Sequence, residues 1–515
     1  MSATPTIGGL LRRGHARYAD LVALRGAGRA VTYGELGSLV RRAVAGLTEL
    51  GLHPGDRVVT IAANSMEYAI LDQACFLGGF VRVGLNRRLN PRELPAILAT
   101  ARPRLLCVDA EWAGRLRAEP AVRGGLPVLE LDGDGPPGFA ALTDRPEPGP
   151  APAPPAEAPA ALLFTSGTSG EPKAVVATQR SMAAMVRNVL ISVPVRPGDR
   201  ALHAIPLSHA AGHLLPAFAC QGADQEVTPS FVVEEVLHRM VRDRVTLLSA
   251  VPTVIGPLAR AALAAGHDVP SPSAIVYGGS PIGRADLATA VRAFPGALYQ
   301  VYAQSESLLP ITVLTPADHR AAAGVRPELG DAAGRPVPFI DLRVVDAEGE
   351  RCAAGECGEV QVRGDTVMTS YYGDPEATAK ALDADGWLRT GDVGYLDRSG
   401  YLHLVDRISD VIITGGFNVM PSEVERVLAE LPAVREAAVF GVPDPRWGET
   451  ICAAVVPVAP HDAPALESVQ EFCRRRLAGF KVPRRLVVLD DLPYNATGKL
   501  DRRALRARYR QEERA

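Results

Sequence analysis

Across residues 31–85 the chain switches repeatedly between a helical hydrophobic period and short apolar runs, and this alternation constrains the fold more than any other feature. Leu36, Leu39, Val40 and Leu47 recur at helical spacing behind a capping box of Thr32 and Glu35, and Gly51 follows the last turn. An apolar run over 58–62 comes next, then a helical stretch over 66–77, then Phe80-Val81-Arg82-Val83. That is the βαβ rhythm of a parallel sheet. The segment PEPGPAPAPPAEAPA, 146–160, reads as an extended connector, after which the rhythm resumes. From 342 to about 405 short strands (LRVVD, EVQVRG, YLHLVD) alternate with Gly and Asp turns, which predicts a β-rich subdomain. A compact α+β unit is expected over roughly 410–515. It has a helix capped by Ser422 with Glu425, strands near 436–440 and 451–457, a helix over 467–477 and a strand over 486–489.

Length and charge limit the function. A chain of 515 residues suits about three or four domains or subdomains. Its 55 Lys and Arg against 58 Asp and Glu leave a formal charge of −3, so no basic excess exists to hold nucleic acid or an anionic membrane. There is no run of 18 apolar residues and no apolar stretch of a signal peptide at the N-terminus, so neither a transmembrane segment nor export is expected. The seven cysteines are scattered without a C-x-x-C pair, which points to free thiols in a reducing compartment, the cytoplasm.

Of the 55 basic residues only four are lysines: Lys173, Lys380, Lys481 and Lys499. A compact ammonium on a flexible stem reaches a point between two anions that the planar guanidinium does not. Lys173 ends the nonapeptide T-S-G-T-S-G-E-P-K, which follows the apolar run 161–164. Its hydroxyls (Thr165, Ser166, Thr168, Ser169), its glycines (Gly167, Gly170) and one cation can wrap phosphate oxygens. Pro172 before the lysine and Ala174 after it break the Walker pattern, so a P-loop NTPase is not indicated. His209 and His213 stand four apart without the carboxylate of an H-E-x-x-H site, which argues against metal ligation.

The nonapeptide resembles the phosphate loop of the adenylate-forming superfamily, which includes acyl- and aryl-CoA synthetases, peptide-synthetase adenylation domains and beetle luciferases. Further signatures resembling that superfamily follow in order: P-L-S-H at 206–209, Y-G-G-S-P at 277–281, Y-A-Q-S-E at 302–306, T-G-D at 390–392, D-R-I-S-D at 406–410, G-G-F-N-V at 415–419 and N-A-T-G-K at 495–499. The resemblance implies an α/β fold. Its large N-terminal domain, 1–405, has two α/β subdomains plus a β-rich, barrel-like one. A hinge at 406–409 leads to a small, mobile α+β C-terminal domain, 410–515. It also implies an AMP-forming acid:CoA ligase using ATP, Mg²⁺ and CoA.

By the same resemblance, Lys499 bridges the acid carboxylate and the α-phosphate, and Glu306 binds Mg²⁺. Asp392 and Arg407 hold the ribose, Tyr302 with Gly278, Gly279 and Ser280 forms the adenine slot, and Ser305 keeps a hydroxyl for phosphate or Mg²⁺. After the first half-reaction the small domain would rotate, withdrawing Lys499 and bringing the loop at Gly416 to shape a pantetheine tunnel. Trp447, Phe480 and Lys481, together with Arg88, resemble a patch that meets the adenine and phosphates of CoA. His209 would gate the acid pocket, lined by Asn188, Ala210, Ala211, Val301, Ala303 and Leu308 alongside Gly278.

Three departures from the family pattern stand out. Ser409 occupies the hinge position where relatives usually carry Asp or Lys, Val482 stands where some carry a basic residue, and Ala303 and Ser305 replace the usual Gly and Thr. The acid expected is aryl, arylpropenoic or short-to-medium acyl. The acceptor alternatives are a carrier-protein pantetheine, an amine, or nitrite activation for diazotisation of an aryl amine. A non-catalytic nucleotide-binding scaffold would have no need of Lys499. Monomer and homodimer both remain open.

Overall fold

The structure is a computed structural model that describes residues 4–117, 119–132, 138–149, 153–166, 172–265, 269–459, 463–494 and 500–512, with the side chains at 166, 210, 418 and 510–512 outside that description. The chain divides into two compact units. The first comprises Met1–Leu342, Gln361–Thr390 and Gly400–Leu402; the second comprises Arg343–Val360, Gly391–Ser399 and His403–Ala515.

The first unit holds two helix-covered sheets. In the six-stranded sheet the order is Val128–Glu130, Leu105–Val108, Arg57–Ile61, Val81–Gly84, Pro159–Ser166 and Pro172–Thr178. All neighbours are parallel except the last two strands, which form a hairpin. In the nine-stranded sheet, Leu298–Tyr302, Ala274–Gly278, Leu247–Ala250, Arg200–His203, Asp224–Val227 and Val22–Gly26 run parallel, and antiparallel strands close both ends. Strands such as Leu105–Val108 and Leu247–Ala250 are buried along their whole length, as expected where helices cover both faces of a parallel sheet.

Local rules account for much of this. Helix Tyr33–Glu49 starts at Thr32, whose side chain accepts from the Glu35 amide while Glu35 reaches back to the Thr32 amide. Helix Met66–Gly78 ends at Gly79 in the left-handed region, where glycine meets no Cβ penalty. Three expectations need correction. A strand begins at Pro159, inside the stretch read as connector, because antiparallel pairing with Thr178 and its neighbours overrides the composition. A short helix, Pro375–Ala381, interrupts the β-rich segment, capped by the Asp374 carboxylate. Ser422 does not cap the helix Pro421–Leu428; Met420 precedes it and Pro421 takes the first helical position, where its missing N–H costs nothing. Instead the Ser422 amide and hydroxyl both donate to Asp406, at 3.0 and 2.6 Å. Glu425 accepts from the Val439 amide and, bidentately, from Arg502.

The second unit has its own core, in which Ile412, Val424, Leu428, Val439, Ile451 and Val469 pack together. Its long hairpin, Val434–Asp444 with Gly448–Pro457, is flanked by Arg485–Val488 in parallel. None of the seven cysteines is in a disulfide, and among the described residues no helix is long and apolar enough to cross a membrane.

Burial leaves a mark on the titration of His15, His203 and His319, as it does on that of His213. His15 donates from Nε2 to Gln73, His203 from Nε2 to Gln225, and His319 from Nδ1 to the Thr315 carbonyl. Desolvation lowers each from the ordinary 6.5 to about 4. The unfolded chain therefore takes up protons at these sites below about pH 6.5, and the folded chain refuses them until about pH 4. The contribution of these three groups should be flat above pH 7 and be lost as pH drops through this window. Thermal midpoints between pH 4 and 8 test this. His203→Gln, which keeps an amide donor for Gln225, should shallow the slope, and an unchanged slope would show that His203 is not a contributor.

Candidate active site

The two ends of the nonapeptide lie on paired antiparallel strands. Thr165 pairs with Lys173, and Ser166 with Pro172, across Pro159–Ser166 and Pro172–Thr178. Gly167, Thr168, Ser169, Gly170 and the Ser166 side chain lie outside the described residues. Residues 366–372 brace this hairpin against the loop that carries Glu306. On one side Tyr371 bridges Val175, the Val176 amide donates to Ser370 and the Tyr372 amide to Ala174. On the other, Val367 bridges Ser307, the Met368 amide donates to Glu306 and the Leu308 amide to Thr366. The Tyr371 hydroxyl donates to Glu306 Oε1 at 2.9 Å, and Lys173 Nζ lies 4.9 Å from the centre of the same ring. Burial, and then the Glu306 charge, pushes the Tyr371 hydroxyl up from its ordinary value.

The adenine-slot candidates cluster at the carboxyl ends of parallel strands, where ligands bind in open α/β sheets. Gly278 ends Ala274–Gly278 opposite Val301, Gly279 follows with φ +92°, and Ser280 is exposed. Tyr302 ends the adjacent strand, and Ala303, Ser305 and Glu306 follow it half-buried. Gln304 between them donates to the carbonyl of Thr390, which opens T-G-D.

The P-L-S-H turn is held from the six-stranded sheet. Arg82, fully buried in Val81–Gly84, donates from Nη2 to the Leu207 carbonyl at 2.7 Å and pairs with Asp72 at 2.7 Å. Asn64 accepts from the Leu207 amide and donates to the carbonyls of Ile205 and Thr228. Asn86 Nδ2 stands 3.0 Å from His209 Nε2. Gly212 lets the following helix start this close to the turn, since a Cβ there would sit 1.9 Å from the Leu207 oxygen. Ala211, Val301 and Leu308 are buried, and the Ala210 side chain is outside the described residues. Asn188 is fully buried, with Oδ1 accepting from Arg187 Nε and Nδ2 lacking a partner among the described residues. His213 Nε2 likewise has none; burial and then the charge of Arg82 lower this imidazole to about 3, so it is neutral at working pH.

In the second unit Asp392 and Arg407 meet, with Nε to Oδ1 at 3.2 Å. Residues Ile408–Asp410 form a 3₁₀ turn containing Ser409, and the Asp410 carboxylate lies 3.7 Å from both Arg502 and Arg506. Gly415 and Gly416, at φ +58° and +83°, make the two-residue turn between Ile412–Thr414 and Phe417–Val419, a hairpin geometry that needs positive φ at both positions. Phe417, half-exposed, stacks on Phe480 with centroids 4.5 Å apart. The guanidinium carbons of Arg446 and Arg484 lie 4.8 and 4.5 Å from the ring centre of Trp447. Lys481 binds both Glu423 oxygens at 2.6 Å, so its charge is already compensated. Arg88, in the first unit, is exposed. Lys499 lies outside the described residues.

Sequence reasoning missed Tyr371, Arg82, Asn64, Asn86, Arg446 and Arg484. Arg446 had a signal, being the residue before Trp447, and so did Arg82, a charge inside an apolar strand. Tyr371 had none, because its partner is 65 residues away.

Residues 11–372 match the AMP-binding enzyme family and 423–499 match the AMP-binding enzyme C-terminal domain. The chain belongs to the AMP-binding enzyme family. It is 36% identical over 494 residues to a feruloyl-CoA synthase of an Amycolatopsis species, covering 95% of this chain and 96% of the relative. It is 35% identical over 492 residues to the fatty acid–[acyl-carrier-protein] ligase ScoC of Streptomyces coeruleorubidus, covering 94% and 92%. Among solved structures, the amide bond synthetase McbA from Marinactinospora thermotolerans superposes with a TM-score of 0.86 at 34% identity, over 98% of this chain and 100% of that one. Like other members of the family, the chain is a mixed α/β enzyme with a large N-terminal and a small C-terminal domain.

Proposed function

We propose that the protein activates a carboxylic acid with ATP and passes the acyl group to CoA. In the first half-reaction a carboxylate oxygen attacks the α-phosphorus and pyrophosphate leaves, giving the acyl-adenylate. In the second, the CoA thiol attacks the acyl carbon, the C–O bond to AMP breaks and the thiol proton is released. The observation that supports this reading is that Lys173, at the start of one strand, and Glu306, on the loop after another, both contact Tyr371, so that a cation and an anion flank one tyrosine beside the hydroxyl-rich nonapeptide.

The residues fit Mg²⁺, since a carboxylate held in one orientation, with substrate phosphates completing the shell, is how this hard cation is bound in nucleotide sites. Glu306 would hold it, and the ion would neutralise phosphate charge as the anionic acid approaches. Thr165 and Lys173 would line the phosphates, Tyr302 and Gly278 to Ser280 the adenine, Asp392 and Arg407 the ribose, and Ser305 the phosphates or Mg²⁺. His209, fixed by Asn86, would face an acid whose polar substituent meets Asn188; the acid is an aryl, arylpropenoic or short-to-medium acyl one. The boundary at 406–409 would let 410–515 turn between half-reactions, first presenting Lys499 and then the loop at Gly416. Trp447 and Phe480, with Arg446 and Arg484 adding charge, would meet the CoA nucleotide.

An amine acceptor is the second reading. It is supported by the likeness to an amide bond synthetase and by Lys481, which Glu423 neutralises. Product analysis separates the two. With acid, ATP and Mg²⁺ present, equal CoA and amine should yield the thioester as the main product; amide alone, with CoA untouched, would overturn the CoA assignment.

A further inference from the structure

We propose that Tyr371 is a positioning residue for adenylation, orienting Glu306 toward the metal of ATP through its hydroxyl and holding Lys173 over its ring face. The inference rests on the acid-activation reading above and adds a residue to it. Tyr371 is nine-tenths buried, and its backbone already bridges Val175, so neither its place in the fold nor its packing needs the hydroxyl. A phenyl ring would fill the same space. The hydroxyl is used on Glu306 Oε1, at 2.9 Å, which fixes the plane of the carboxylate and leaves Oε2 as the oxygen to ligate.

The ring does the complementary task. A π-face attracts an ammonium, and Lys173 Nζ sits 4.9 Å from its centre. Lys173 and Glu306 belong to segments joined through residues 366–372, and opposite charges so placed would otherwise neutralise each other. Among the described residues they form no ion pair; each contacts a different part of one tyrosine. The cation thus stays available for phosphate oxygens and the carboxylate for a metal. Tyr371 acts through both neighbours, the two side chains it contacts.

Calorimetric ATP binding, measured with and without Mg²⁺, tests this on Tyr371→Phe, which keeps the ring. The expected result is unchanged ATP affinity without Mg²⁺, an unchanged thermal midpoint and a Mg²⁺ requirement raised about tenfold, the scale for losing an outer partner of a metal ligand. Tyr371→Leu, which also removes the ring, should in addition weaken ATP binding without Mg²⁺. A wild-type Mg²⁺ dependence in Tyr371→Phe would overturn the proposal, as would equal weakening with and without the metal. Acid-dependent pyrophosphate exchange by the unaltered protein is run alongside. Its absence would refute the acid-activation reading, whereas exchange with an unaltered Mg²⁺ response in Tyr371→Phe would refute the role of Tyr371 alone.

Discussion

Lys499→Ala is expected to cut acyl-adenylate formation from acid and ATP by about 10²-fold or more, the scale for removing one preorganised group that stabilises transition-state charge. Thioester formation from synthetic acyl-adenylate and CoA is expected to survive. The asymmetry follows from chemistry. Bringing a carboxylate up to the α-phosphate sets two anions against each other, and a compact ammonium between them offsets the repulsion. In the second half-reaction a thiol attacks a neutral acyl carbon and that repulsion is gone. Lys499 is one of only four lysines in a chain with 55 basic residues, so its occurrence in N-A-T-G-K is not a general use of lysine for charge. Equal losses in the two assays would contradict alternation of the C-terminal domain, and full retention in both would remove Lys499 from the catalytic list.

The largest effect on stability is expected at Asp72. Its carboxylate pairs at 2.7 Å with Arg82, and both side chains are at least nine-tenths buried. Asp72→Ala would leave a guanidinium in the core without its counter-charge, which costs about 3–5 kcal/mol in comparable buried pairs. Because Arg82 also holds the Leu207 carbonyl in the turn before His209, the same variant should loosen that turn, where the acid pocket is proposed. Denaturant midpoints check the stability effect. The double variant Asp72→Leu with Arg82→Met removes both charges and should recover much of the loss, as apolar replacement of buried pairs often does. A single variant as stable as the parent would show that the pair is not a stabilising one.

What was legible in the sequence was local. Thr32 and Glu35 lie three apart and form the capping box that their spacing suggests. Ser422 and Glu425 have the same spacing and do not, because Asp406, sixteen residues upstream, and Arg502, seventy-seven downstream of Glu425, take their hydrogen bonds. Nothing within a window around Ser422 announces either competitor. The signature motifs were legible because each is a short string, and they led to Asp392 and Arg407, which do meet. The resemblance gives Lys481 to the phosphates of CoA, whereas the structure pairs it with Glu423, 58 residues away. Tyr371 carries no local sign for the same reason: nothing in the S-Y-Y-G-D-P stretch announces that one ring contacts both Lys173 and the Glu306 loop.

The most direct test of acid activation is isotope exchange between pyrophosphate and ATP across a panel of aryl, arylpropenoic and aliphatic acids, with CoA omitted. Adenylation is reversible and precedes any acceptor, so exchange should appear with the preferred acid, require Mg²⁺ and vanish when the acid is left out. Exchange that needs CoA, or that proceeds equally without any acid, would contradict the account.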